Sequence, residues 1–181
     1  MSKITLTPND QGTGTFTIAS PNSNTNRTLT LPDSAGELLT STSSLSASNI
    51  SGTFSSISAE EVYEKVTTFT STTGTITFDT TAQAVEYFTV AQTANRTINF
   101  SNVNANLAIG QSLSVAVIMT QGSTAYYLNA YQVDGASVTP KWQGGTAPTG
   151  GNASSIDSYN FTIIKTADAT FTVLASQTQF A

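Results

Sequence analysis

The sequence predicts an all-β protein, and three observations lead there. Thr and Ser supply 33 and 23 of the 181 residues, and β-branched Thr suits a pleated, half-solvated surface. The helix formers Leu, Glu, Lys and Arg are scarce: only 9% of residues are charged, against roughly 25% in an ordinary soluble domain. Short runs of alternating β-formers, divided by Gly, Asn, Asp and Pro, recur along the chain. The length suits one principal core with an appendage, not two independent cores.

Residues 1–40 read as an N-terminal β-arm. GTFTIAS (14–20) and RTLTLPD (27–33) alternate with period two around the turn-forming PNSNTN, and GELLT (36–40) closes the segment. Strands so few and so short do not stand alone in water, so the arm must lean on another body. Residues 41–66 form a Ser/Thr-rich shaft or linker. Within it Leu45, Ile50, Phe54 and Ile57 recur every three to five residues, too few apolar contacts to offset the roughly 1–2 kcal/mol per residue of ordering the backbone. Neighbouring chains or a docking surface are therefore expected to hold it. AEEVYEKV (59–66) reads as a short helical junction, with Ser58 as cap, Glu61 completing a capping box, and Val62 and Val66 on one face.

Residues 67–181 read as the head. GTITFDTT, AVEYFTVAQ, RTINFSN, SLSVAVIMT, TAYYLNAYQVDG and SVTPKW follow one another, and SYNFTIIKT with ATFTVLAS forms a final hairpin about Ala167 and Asp168. About eight such strands at this spacing predict an antiparallel β-sandwich of jelly-roll type. LSVAVIM is apolar on both faces, which makes it a central strand or one that touches a second subunit.

The inventory argues against catalysis. The chain has no His and no Cys, so the usual general base, the thiolate and the commonest transition-metal ligands are missing. Paired carboxylates can hydrolyse a glycosidic bond, and Asp79, Glu86, Asp134, Asp157 and Asp168 are the head's candidates, but Asp134 before Gly135 and Asp168 between alanines favour the turn reading. The chain is expected to be no enzyme and to need no cofactor or metal. A net charge of −5 with six scattered cations argues against nucleic acid, and no apolar run approaches a membrane span. The Gly144–Gly151 loop lacks a GK[ST] ending and a following helix, so it is no phosphate cradle.

One cluster remains. Tyr126, Tyr127, Tyr131, Trp142 and Tyr159 fall close together in sequence, and their apolar faces with polar tips suit stacking on sugars or filling an interface. On strands, half of them must turn into the core. Trp142 is expected to plug the head or a contact between heads.

The opening ITLTPNDQGTGTFTIASPNSNTNRTLTLPDSAGELLT resembles an N-terminal module of virion structural and tail-fibre proteins of tailed bacteriophages, especially those of marine cyanobacteria. A segment ending in Pro-Asn, then NRTLTLPD, then G-x-L-L-T stand there in the same order. KWQGGTAP, GNASSIDSYNFTIIKT and TFTVLASQTQF resemble a C-terminal domain of the same viral proteins. The resemblance implies a noncatalytic virion component on the tail or capsid surface, made in the host cytoplasm. It implies a homotrimer attached to other virion proteins through the arm, with a distal head for assembly or contact with a host surface glycan. At 181 residues the chain is short for a host-recognising fibre. A capsid decoration protein, a short fibre, an adaptor and a glycan-binding adhesin module remain the alternatives.

Overall fold

The computed structural model describes residues 10–15, 17, 22–26, 28, 58 and 60–181. The chain divides into two compact units, Met1–Ser56 and Ile57–Ala181. In the first, the Thr25 amide donates to Ser23 Oγ at 3.1 Å, the short polar turn chemistry expected of PNSNTN. The arm's expected strands and the shaft lie almost wholly outside the described residues.

The second unit holds β1 (Val66–Phe69), β2 (Ile76–Asp79), β3 (Val85–Phe88), β4 (Arg96–Ser101), a single turn α1 (Val103–Asn106) and β5 (Ser112–Thr120). It continues through β6 (Leu128–Val133), β7 (Ala136–Ser137), β8 (Lys141–Trp142), β9 (Ile156–Ala167) and β10 (Thr170–Phe180). All-β is therefore the observed class, and the strands form two sheets ordered β1-β3-β5-β9-β10-β8 and β2-β4-β6-β7.

The expected jelly-roll topology is corrected. From β1 to β6 the chain alternates between the two sheets, so odd strands pair parallel in one and even strands pair parallel in the other. Connection length explains this. Antiparallel neighbours need only a tight turn, whereas parallel ones need a longer crossover, and here each crossover travels through the opposite sheet. Antiparallel pairing appears at the two tight turns, β6-β7 and β9-β10, and where β9 returns alongside β5. Asp134 and Gly135, both at positive φ (48° and 82°), close β6 onto β7, as an Asp-Gly pair should. The hairpin β9-β10 forms as expected, with its turn one residue on, at Asp168 and Ala169, because Ala167 already pairs with Thr170.

Winding places like residues side by side. Ile76 lies beside Ile98, Phe78 beside Phe100 and Phe69 beside Phe88. Alternation turns Phe78, Phe88, Ile98, Phe100, Val117, Met119, Phe161 and Ile163 inward to a shared core in which each is at most 2% exposed. Burying each such side chain contributes about 1.5–3 kcal/mol. Phe100 of one sheet meets Phe161 of the other edge-on, with ring centroids 4.9 Å apart. LSVAVIM is indeed central, as β5 between β3 and β9.

Two further expectations are overturned. Glu60–Lys65 is not helical, and Val66 already belongs to β1. Two isolated turns of helix are marginal in water, and the Lys65 carbonyl instead accepts the amides of Ala84 and Val85 at 3.2 Å each, drawing the segment into the sheet. SVTPKW is not one strand. Pro140 cannot donate to a ladder, and Val138–Pro140 carries the chain from β7 in one sheet to β8 in the other.

Between β9 and β10 the register shifts at Thr170/Phe171, and Ala169 sits at φ 47°, a left-handed conformation that costs a residue with a Cβ about 1–2 kcal/mol. Ala169→Gly relieves this but adds freedom to the unfolded chain. A net gain of up to about 1 kcal/mol is expected, read as a higher urea midpoint.

Candidate functional site

The break at Pro140 creates an open side of the sandwich, where the β6-β7 edge of one sheet approaches β8 of the other. A cleft of about 760 Å³ lies there, lined by Thr97, Asn129, Tyr131, Gln132, Thr139 and Trp142 among others. Its aromatic pair is fixed from behind. Tyr131 and Trp142 meet edge to face at 5.4 Å, and both contact Phe161, at 6.1 and 6.3 Å. The Tyr131 hydroxyl donates to the Leu128 carbonyl; burial, then the neighbouring Tyr127, holds this phenol above its ordinary range. Both rings are half-buried.

The five expected aromatics thus separate. Tyr159 is 0% exposed and is corrected to a core residue: its hydroxyl accepts from the Leu128 amide at 3.4 Å and from Gln177 Nε2 at 2.8 Å. Its inward position follows from strand alternation, since Asp157, Tyr159, Phe161 and Ile163 share the buried face of β9. Tyr127 packs against the core, and its amide donates to Asn95 Oδ1 at 3.0 Å. Tyr126 is half-buried, its backbone held by Gln121 through bonds of 2.9 and 2.7 Å. Only Tyr131 and Trp142 come together. Trp142 is the expected plug in that it backs onto Phe161, and one side of it faces the cleft.

The carboxylates take structural partners. Asp134 caps α1, accepting from the amides of Val103 and Asn104 at 3.2 and 2.7 Å. Asp168 accepts from Asn104 Nδ2 at 3.1 Å, and half-buried Asp79 accepts from Asn102 and Thr81, which hold its carboxyl below its ordinary range. Asp157, 0% exposed, accepts from Gln121 Nε2 at 3.0 Å and from the Asn152 amide; burial still raises its carboxyl. Among the described residues no group of three or more His, Cys, Asp or Glu is placed to hold a metal ion, and no helix is long and apolar enough to cross a membrane.

Known protein families, curated proteins and solved structures offer no match to this chain.

Sequence reasoning missed two features. Arg96, 2% exposed, lies over the Phe88 ring at 4.5 Å and donates to the carbonyls of Gly74 and Ser71 and to Gln92 Oε1 at 3.0–3.1 Å, tying the first winding to the second. Glu86, 1% exposed, faces the same interior. Gln83 Nε2 donates to its Oε1 at 2.8 Å, while Oε2 has no partner. The available signal was alternation: Glu86 falls in phase with the inward Phe88, and Arg96 with Ile98.

Proposed function

We propose that the chain is a noncatalytic structural component of a tailed-phage particle, a trimer of fibre or fibre-like type. Residues 1–40 attach it to other virion proteins, and the β-sandwich projects outward. The observation that carries this reading is an apolar row on the outward face of the six-stranded sheet. Val66, Val85 and Ala116 stand side by side in register, as do Tyr87 and Ile118. Val66 itself is 52% exposed, and Val62 and Tyr63 shortly before it in the chain are 77% and 85% exposed. Scattered exposed apolar residues are ordinary, whereas a contiguous row rimmed by Thr and Ser marks an association surface.

The two ends of the winding differ in the same sense. At one end the β9-β10 hairpin and β7 extend the sheets beyond the parallel coils. At the other, β1 and β2 are the edge strands of their sheets. Stacked coils need their ends covered, and unpaired edges invite another chain. A second copy packed on the apolar row would meet this end as well. The threefold number and the particle come from the phage resemblance of the opening and of the C-terminal third.

The test is a cryo-EM map of particles that contain the chain, with and without residues 1–40. Density for three copies at a tail site, lost on deletion, is the expected result. Copies on the capsid shell would make it a decoration protein, and particles that keep the chain after deletion would refute the attachment role.

A further inference from the structure

The cleft at the open side of the sandwich has a chemistry of its own. Its floor is the pair Tyr131 and Trp142, backed by Phe161, which is 1% exposed. Its walls are neutral. Thr97, Asn129, Gln132 and Thr139 line it, and none of their side chains hydrogen-bonds to another described residue. That is a contrast within one small domain: Asn95, Asn99, Asn104 and Gln121 all spend their side chains on backbone or side-chain partners nearby. The Trp142 indole N–H likewise has no acceptor among the described residues and is not sealed from solvent.

We propose that this cleft binds a neutral oligosaccharide, with Tyr131 and Trp142 as the stacking floor and Thr97, Asn129, Gln132 and Thr139 as hydrogen-bonding walls. A sugar ring presents an apolar C–H face and an equatorial rim of hydroxyls that both donate and accept. Aromatic faces match the first, and amides and hydroxyls, each donor and acceptor at once, match the second. Cationic ligands fit less well, since Lys141 is the sole ionic group among the lining residues. A purely apolar ligand would leave the amides unpaired, at a penalty that sites of this kind impose on ligands lacking hydroxyls. The volume lies within the roughly 300–1,000 Å³ of small-ligand sites, enough for more than a single ring. The inference stands on the cleft alone and holds whether or not the chain is a virion component.

Trp142 is the only tryptophan of the chain, so its fluorescence reports on this site directly. The full-length protein is titrated with uncharged gluco-, manno- and galacto-configured trisaccharides and with a sialylated trisaccharide. A saturable change in emission with at least one uncharged sugar is expected, and a response to the sialylated sugar alone overturns the proposal. The Asn129→Ala/Gln132→Ala variant should bind that sugar at least tenfold more weakly, with its unliganded emission and its oligomeric state unchanged. Silence toward all uncharged sugars in both fluorescence and calorimetry overturns the proposal, as does equal affinity in the variant. Trp142 shielded from acrylamide in the native assembly overturns it too, because another copy would then fill the cleft.

Discussion

Glu86→Gln is expected to raise stability at pH 8 by about 3 kcal/mol while leaving it nearly unchanged at pH 4. Burial pushes the Glu86 carboxyl up from 4.5 to about 7, against the smaller opposing effects of the Gln83 amide and the Arg96 charge. The guanidinium gives limited relief, because its bonds go to Gly74, Ser71 and Gln92. Since the folded-state value lies above the unfolded one, the folded protein binds the extra proton. Stability is therefore fullest below pH 4.5 and declines through the window up to about 7. A shift of this size corresponds to about 3 kcal/mol. Gln is the neutral isostere, so its profile lacks that decline. Urea midpoints at pH 4 and pH 8 measure both. Parallel profiles for the two proteins would show that Glu86 stays ionised in the fold.

Gly151→Ala is expected to destabilise the sandwich by about 3 kcal/mol. No positive φ demands glycine at this position; space does. A Cβ there would lie 2.5 Å from Asp157 Oδ2 and from the Tyr126 carbonyl oxygen, and 3.1 Å from Gln121 Nε2. Those atoms cannot step aside cheaply. Gln121 Nε2 bridges the other two at 2.7 and 3.0 Å, and the Asn152 amide holds the same carboxylate at 3.1 Å. Displacing them adds overpacking to the exposure of a buried carboxylate without its donors, each worth about 1–3 kcal/mol. Gly150, with nothing within 4 Å of its own virtual Cβ, is the control: Gly150→Ala should change stability by less than about 0.5 kcal/mol. Equal urea midpoints for the two variants would remove the steric argument.

Strand identity was legible where periodicity was strong. GTITFDTT, RTINFSN, SLSVAVIMT and the last hairpin all lie where alternation puts them, and Asp134-Gly135 turns as its dipeptide demands. Strand pairing was not legible. Alternation tells which residues of a strand share a face, but it carries no sign of direction, and the connections between β1 and β6 look like generous hairpin loops until the second sheet is known. AEEVYEKV misled because local helix propensity contends with a sheet edge that takes the Lys65 carbonyl. At the site, Tyr and Trp announced themselves by type, yet only the parity of each strand separates Tyr159 in the core from Tyr131 at the cleft. The neutral walls, Thr97, Asn129 and Gln132, were invisible among so many Thr, Asn and Gln. Their distinction is the lack of an internal partner, a property of the fold.

The apolar row on the six-stranded sheet should hold copies of the chain together, and sedimentation of the 181-residue protein beside Ile118→Glu measures that association. Three chains of 18.9 kDa moving as one species, dissociated by Ile118→Glu with β-sheet circular dichroism retained, is the predicted result. A wild-type protein that sediments as a single folded chain at high micromolar concentration would contradict it.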